Sequence, residues 1–277
     1  MCDLMRGNGM LVQTVKRSEA RARSERDARA RRRVTMRCMM NTSALRAITL
    51  DLDDTLWAVG PTLVAAEQVL NDWLRTHAPA TAQGTTPDTR AAIRKQILLE
   101  HPDRSHDLNF VRSEGLRRAM RAYGDDPALA DKAFAVFLEA RQRVTCFDDV
   151  RPVLARWAQR YRLVAVTNGN ANIERVGLGD LFAGAVNAHE IGCAKPDPRI
   201  FQAACRIADA SPEAVLHIGD DPHLDVVAAR AAGLQAAWLR RAAFAHRHPV
   251  DTLAEHALQP FDDLHAIDAM LHGAAQR

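Results

Sequence analysis

Apolar and polar residues change rhythm twice along the chain. Residues 47–51, Ala-Ile-Thr-Leu-Asp, form a short apolar run of the kind that builds a buried strand. Over 61–143 the rhythm becomes helical, as in Leu63, Val64, Val69, Leu70, Trp73 and Leu74. The spacing predicts helices at 61–77, 89–100, 109–123 and 128–143, with a Pro/Thr/Gly loop at 78–87 and a break at 124–127. Nothing in that block reads as a strand. From Phe147 onward strands and helices alternate. Strands are expected at 162–167, 184–187, 214–219 and 235–239, and helices near 149–160, 198–208, 222–232 and 261–271.

That alternation implies a mostly parallel sheet with helices on both faces. The strand at 47–51 has no other partner, so it must join the same sheet, and the helical block becomes an insertion after it. The fold class is therefore α/β, a Rossmann-like parallel sheet with an inserted all-helical domain. The expected boundaries are a leader at 1–45, a core at 46–57 and 147–277, and the insertion at 58–146.

Each strand ends in polar chemistry, and in open α/β sheets ligands bind beyond the carboxyl ends of strands. Strand one runs into Asp51-Leu-Asp-Asp-Thr-Leu-Trp57. Asp51 and Asp53 lie two apart, on the same side of an extended segment. Paired carboxylates repel unless a cation or a shared proton intervenes. The segment thus offers a divalent-metal site or a proton-transfer acid, against the plainer reading of an acidic surface turn. Strand two ends Thr167-Asn-Gly-Asn170, where a hydroxyl and turn N–H groups suit a phosphate oxygen, or simply make a strand-to-helix turn. Lys195 stands between Ala194 and Pro196, before a predicted helix, placed to neutralise an anion or merely to be solvated. Strand four gives His217-Ile-Gly-Asp-Asp-Pro-His-Leu-Asp225. Asp220 and Asp225 could act as hard oxygen ligands, while Asp221 is read as a helix N-cap. His217 is read as a packed strand histidine, and His223 as either a surface or a substrate-facing residue.

Composition narrows the class. With 277 residues, 47% hydrophobic and 26% charged, the chain describes an ordinary globular protein, and no apolar run approaches a membrane span. Its five cysteines are scattered and form no Cys-x-x-Cys pair, which argues for a reducing, cytoplasmic location and against a disulfide framework or zinc site. The net charge of +3 conceals an asymmetry: residues 1–45 carry eleven Lys/Arg against four Asp/Glu, and the remainder is at −4. An Arg-rich arm can bind nucleic acid through phosphates, but this one lacks aromatic residues for base stacking. Without an apolar stretch, and with Glu19, Glu25 and Asp27, it is no targeting peptide. The favoured expectation is a disordered or misassigned leader, with Met36, Met39 and Met40 just upstream of the first strand.

Taken in order, Asp-x-Asp-x-Thr, a strand ending in Thr167, Lys195 and Gly219-Asp220 with a following Asp resemble the motifs of the haloacid dehalogenase-like hydrolase superfamily, over 47–240. Finer detail, Thr-Asn-Gly-Asn at 167–170, Gly-Leu-Gly-Asp at 177–180, Lys-Pro at 195–196 and Leu-His-Ile-Gly-Asp-Asp at 216–221, is similar to a bacterial branch of flavin mononucleotide phosphatase-like enzymes. That branch also acts on a phosphorylated pyrimidine intermediate of riboflavin synthesis. The resemblance implies a Mg²⁺-dependent phosphatase for a small phosphate monoester, with FMN or a nucleotide-like monophosphate as substrate. It implies Asp51 as nucleophile, Asp53 as acid and base, and Lys195 as the neutralising cation. Thr167 and the backbone at Asn168 would hold phosphoryl oxygens. Asp51, the Asp53 carbonyl and Asp220 would ligate Mg²⁺, Asp225 would orient Lys195 or a metal-bound water, and Thr55 would tighten the turn. A dehalogenase would lack the second aspartate of the first motif. The helical insertion corresponds to the family's cap, whose candidate substrate residues are His106, Asn109, Arg112 and Arg141, with Trp57 near the hinge. For these four, the competing reading is surface or interhelix contact. Broad sugar-phosphate hydrolysis is the alternative function, and nucleic-acid binding by the basic arm is the alternative class. The expected partner is a small molecule, not a membrane or nucleic acid; the oligomeric state is not fixed by sequence.

Overall fold

In the computed structural model, residues 42–249, 252–253 and 259–272 are described. The basic leader lies almost wholly outside them. Five strands form one parallel sheet in the order β3-β2-β1-β4-β5: β1 is Ala47–Leu50, β2 Arg162–Thr167, β3 Gly184–Asn187, β4 Val215–Gly219 and β5 Gln235–Trp238. The register pairs Ile48 with both Leu163 and Leu216, and Leu50 with both Ala165 and Ile218. β1 is thus central, as its place in the alternation requires.

Burial on both faces explains why these strands are nearly continuous in apolar residues. Ile48, Leu50, Leu163, Ala165, Leu216 and Ile218 share one core with helix α6 (Val150–Trp157) and helix α10 (Leu264–His272). Ala47, Val164, Val166 and Val215 point to the other, against helix α8 (Pro198–Ala208). Helix α8 starts cleanly because Pro198 sits in its first turn and the Asp197 carboxylate accepts from the Arg199 N–H at 2.9 Å. Helix α7 (Ala188–Ile191) is a single turn after β3.

Between Trp57 and Cys146 come five α-helices: α1 (Val59–His77), α2 (Pro79–Gly84), α3 (Pro87–Glu100), α4 (Leu108–Tyr123) and α5 (Ala130–Arg141). Their own core gathers Ala66, Leu70, Leu74, Met120, Ala133 and Phe137. Helix α2 corrects the expected loop at 78–87. Its Ala, Thr and Gln residues follow a Pro at the first position, and the Asp125 carboxylate takes the Thr81 N–H at 2.6 Å. The insertion begins and ends at one place, because Trp57 forms an antiparallel bridge with Cys146 and the Phe147 N–H donates to the Leu56 carbonyl at 3.0 Å. The helix expected at 222–232 is also irregular: Pro222–Val227 is a π-helical turn that runs into α9 (Ala228–Ala231). Among the described residues, no helix is long and apolar enough to cross a membrane.

Candidate active site

The sheet's central strand delivers Asp51 to a crevice flanked by the ends of β2 and β4. Asp54 adopts a left-handed conformation (φ 61°), and its carboxylate accepts from the Val59 N–H at 2.9 Å and from Arg247 at 2.5 Å. This turn starts α1 and leaves Asp51 and Asp53 in different settings.

Asp51 faces the lysine. Lys195 Nζ donates to Asp51 Oδ1 at 2.5 Å and to Asp225 Oδ1 at 2.6 Å, and all three side chains are buried. Burial opposes the charge on Lys195, but Asp225 and Asp51 outweigh it and hold its pKa above the usual lysine value. Burial pushes the Asp51 carboxyl up to about 7, against the pull of Lys195 and with help from Asp225 and Asp53. Asp225 stays well below the usual carboxylate range, since Lys195 and His217 overcome its burial. Its Oδ1 accepts from Lys195 and lies 3.2 Å from His217 Nε2, while its Oδ2 accepts from the Asp221 N–H at 3.0 Å. His217 is fully buried, with Nδ1 2.8 Å from the Thr49 hydroxyl. Burial lowers its pKa, so the neutral ring carries its proton on Nε2, toward the carboxylate. The histidine expected merely to pack is the rear support of the lysine.

Two close approaches explain two glycines. A Cβ on Gly219 would fall 2.2 Å from Asp225 Cγ, so only glycine lets the π-turn bring Asp225 beneath β4. A Cβ on Gly169 would fall 2.7 Å from Asp53 Oδ2.

Asp53 is held from the insertion. Arg141 Nη2 donates to both its carboxylate oxygens, at 2.6 and 2.5 Å, and Trp57 Nε1 donates to Oδ1 at 2.8 Å. Arg141 Nε bonds Asn170 Oδ1 at 3.1 Å, and Asn170 Nδ2 bonds Asn109 Oδ1 at 3.0 Å. Of the four candidates in the insertion, Arg141 and Asn109 therefore converge on the site. Arg112 does not: it pairs with Glu67 at 2.6 Å and lies 3.7 Å over the Phe137 ring. His106, half-buried, is bonded to none of these groups.

Thr167 is buried, and its hydroxyl accepts from the Gly169 N–H at 2.9 Å. The Asn168 side chain is committed elsewhere. It accepts from the Lys195 N–H at 2.7 Å and donates to the Lys195 carbonyl at 3.0 Å, which fixes the lysine loop to the end of β2. Only its main chain is left for a ligand. Thr55 does more than tighten a turn, because its hydroxyl donates to Asp220 Oδ1 at 3.2 Å. Its carbonyl is clamped by the buried Arg241, which also pairs with Asp149 at 2.6 Å. Sequence reading missed Arg241 and Asp149, single charged residues far apart in the chain and without a motif. Asp221 caps the following turn, accepting from the His223 and Leu224 N–H groups at 2.8 Å.

The donor set suits a divalent cation. Carboxylate oxygens of Asp51, Asp220 and Asp225 lie within 4.8 Å of one another, and Lys195 is the cation bonded among them. Fully ionised, three carboxylates and one ammonium would leave two uncompensated negative charges. Burial first, and then Asp51, Asp225 and Asp54, push the Asp220 carboxyl up to about 8. Carboxyls raised this far are the mark of an anionic cluster short of positive charge. Because Asp225 is already engaged on both oxygens, Asp51 and Asp220 are the side chains with capacity for the ion.

A family model described as haloacid dehalogenase-like hydrolase matches residues 45–233. A 5-amino-6-(5-phospho-D-ribitylamino)uracil phosphatase, YigB of Escherichia coli K12, is 30% identical over 209 residues, covering 74% of this chain and 87% of the relative. A glyceraldehyde 3-phosphate phosphatase of Methanopyrus kandleri is 26% identical over 212 residues, covering 74% and 88%. A crystal structure titled 2-haloacid dehalogenase, from Pseudomonas syringae pv. tomato DC3000, is 40% identical with a TM-score of 0.67, covering 70% of this chain and 86% of that one.

Proposed function

The chain belongs to the haloacid dehalogenase-like hydrolases, and from that membership we propose that it hydrolyses a small phosphate monoester through a phosphorylated Asp51. The observation that carries this reading is Asp53. A halide leaves carbon without a proton, so displacement of halide needs no acid. An ester oxygen leaves phosphorus as a poor, basic alkoxide and needs one. Asp53 stands two residues beyond Asp51 at the junction of core and insertion, gripped by Trp57 and Arg141. The phosphatase names of the two sequence relatives support the same reading.

Asp51 supplies the attacking oxygen. As its bond to phosphorus forms, the bond from phosphorus to the ester oxygen breaks, and Asp53 gives that oxygen a proton. Asp53 then takes a proton from water as the water attacks the phosphorylated Asp51. Phosphate departs and the carboxylate is restored. Lys195 offsets the charge that gathers on the phosphoryl oxygens. The Thr167 hydroxyl and the main chain at Asn168 hold those oxygens in line. A Mg²⁺ held by Asp51, Asp220 and the Asp53 carbonyl would screen the anionic nucleophile from the anionic phosphate. Arg141 ties Asp53 to the insertion, which acts as a cap, so opening the cap frees the acid's oxygens. The substrate is FMN or a riboflavin-pathway or nucleotide-like monophosphate, processed in the cytoplasm.

The 40% identical neighbour favours a second reading, hydrolytic dehalogenation of a 2-haloacid by the same Asp51. One panel separates them: kcat/KM for a series of phosphate monoesters including FMN, run beside halide release from 2-haloacids. Phosphate release with a strong preference is expected. A flat ester profile would replace the riboflavin-pathway assignment with broad sugar-phosphate hydrolysis, and halide release without phosphate release would reverse the reading.

A further inference from the structure

The two carboxylate oxygens of Asp53 stand in different settings. Oδ1 accepts from Trp57 Nε1 at 2.8 Å and from Arg141 Nη2 at 2.6 Å. Among the described residues, Oδ2 accepts from Arg141 Nη2 alone, at 2.5 Å. A carboxylate offers about four lone-pair sites, two on each oxygen. Oδ1 is thus fully used, and Oδ2 keeps one site open. Gly169 lies against Oδ2. A Cβ there would fall 2.7 Å from Oδ2 and 3.2 Å from the Thr167 hydroxyl oxygen, so these two oxygens flank one small space. Thr167 is the hydroxyl assigned above to the phosphoryl group, and Oδ2 is therefore the oxygen that borders it.

The two donors are more deeply buried than the group they hold. Trp57 is fully buried and the Arg141 side chain is 1% exposed, against 23% for Asp53. They come from the two chain crossings between insertion and core. Trp57 lies on the first, in its bridge with Cys146, and Arg141 is the last residue of α5, just before the second. The turn fixes Trp57, because the Asp54 N–H donates to the Trp57 carbonyl at 2.7 Å. Docking of α5 on the loop at 169–172 fixes Arg141. Arg141 Nε donates to Asn170 Oδ1, and the neighbouring Gln142 donates to the Asn170 carbonyl at 3.1 Å and accepts from the Asn172 N–H at 2.8 Å. The last torsion of an aspartate is soft, so a carboxyl held by one donor can turn. Donors from two elements stop that rotation.

We propose that Trp57 and Arg141 are positioning residues that lock the Asp53 carboxyl, so that Oδ2 gives the proton to the leaving alcohol and takes one back from water. The proton moves from Oδ2 to the ester oxygen as the bond from phosphorus to that oxygen breaks. A proton from the attacking water then returns to Oδ2. Arg141 acts on the acid and not on the substrate, and the acid is set only while α5 is docked. This inference rests on the phosphoesterase reading and adds the residues that make its acid work.

The choice of ester gives the test. An ester whose alcohol leaves as a stable anion needs no proton, whereas an alkyl ester does. p-Nitrophenyl phosphate is the first kind, and FMN and glycerol 3-phosphate are the second. The ratio kcat/KM reports only the steps through release of the alcohol, so the water step shared by all esters does not enter it. Trp57→Phe keeps an aromatic ring and removes the donor. Its loss in kcat/KM should be at least about tenfold greater on the alkyl esters than on p-nitrophenyl phosphate. Arg141→Met should show the same dependence, and Arg141→Lys, which keeps a donor and the charge, should recover part of the loss. Gln142→Ala loosens the docking without removing a bond to Asp53, and should lower kcat/KM for all three esters by the same factor. Thermal melts show which variants are folded, and if one of the two donor variants is not, the other decides. Equal losses on all esters in the folded donor variants would assign Trp57 and Arg141 to the fold and overturn the inference. The same ester dependence in Gln142→Ala would also overturn it, because docking alone would then set the acid. So would a wild type that hydrolyses p-nitrophenyl phosphate and neither alkyl ester. A wild type that hydrolyses no ester would instead remove the phosphoesterase reading itself, and the inference with it.

Discussion

Replacing Asp220 by Asn should stabilise the metal-free protein, although it removes a residue from the site. Asp220 is largely buried beside Asp51 and Asp225, and its carboxyl is raised from 3.8 to about 8. A carboxyl whose folded pKa lies above its unfolded value binds extra protons only in the folded state. Its stabilising contribution is therefore present at low pH and is lost as pH rises through the folded pKa. A tenfold difference in proton affinity between the folded and unfolded chain corresponds to about 1.4 kcal/mol. The repulsion is shared with Asp51, so the part removed by Asp220→Asn is roughly 2–5 kcal/mol near pH 8.5. Asn keeps an oxygen for the Thr55 hydroxyl, so little else is lost. For a chain of this size each kcal/mol moves Tm by about 2–4 °C, which predicts a rise of roughly 5–15 °C in EDTA at pH 8.5. At pH 5 the folded carboxyl is protonated but the unfolded one is already ionised, so the difference should shrink to roughly 1–2 kcal/mol, vanishing only below the unfolded value of 3.8. Mg²⁺ at about 100 times its Kd should add about 2.7 kcal/mol to the wild type and nothing to the variant. Differential scanning calorimetry in EDTA and in Mg²⁺, at both pH values, reads all four states. A variant no more stable than wild type in EDTA at pH 8.5, or one that Mg²⁺ still stabilises fully, would refute the charge argument.

Three further outcomes follow from the same geometry. Gly169→Ala places a methyl group 2.7 Å from Asp53 Oδ2 and should lower kcat by about tenfold or more with Tm nearly unchanged, as steady-state assays and thermal melts would show. Lys195→Met leaves two buried carboxylates facing each other without their cation; activity should vanish and urea unfolding should show a loss of about 3–5 kcal/mol. His217 stays neutral when folded, so as pH falls below 6.5 its unfolded form takes up a proton that the folded form refuses, and stability declines by at most about 1.4 kcal/mol per pH unit. His217→Gln should remove that component, visible as a shallower difference in ΔG between pH 6.5 and 5 in paired urea titrations.

Much of the fold was legible because each element carried its own period. Strands β1, β2 and β4 are buried on both faces and read as apolar runs, while the insertion repeats at helical spacing. The exception, α2, was hidden by its Pro, Thr and Gly content, which signals a loop unless the Asp125 contact to its first turn is known. The strand-end motifs pointed to Asp51, Asp53, Lys195 and Asp220 through local chemistry and order along the chain, and the structure gathers Asp51, Lys195 and Asp220 at the strand ends. Their supports were not legible. His217 behind Asp225, Arg241 behind Thr55 and Asn168 behind Lys195 act through contacts between residues far apart in sequence.

The central claim is that Asp51 carries the phosphoryl group during turnover. Rapid acid quench of the enzyme mixed with its preferred ester and Mg²⁺, followed by peptide mass spectrometry, tests it directly. The account predicts one phosphoryl group on the peptide containing Asp51, formed as fast as the alcohol is released and absent from Asp51→Asn. Turnover with no label on that peptide, or phosphate release by Asp51→Asn at the wild-type rate, would contradict it.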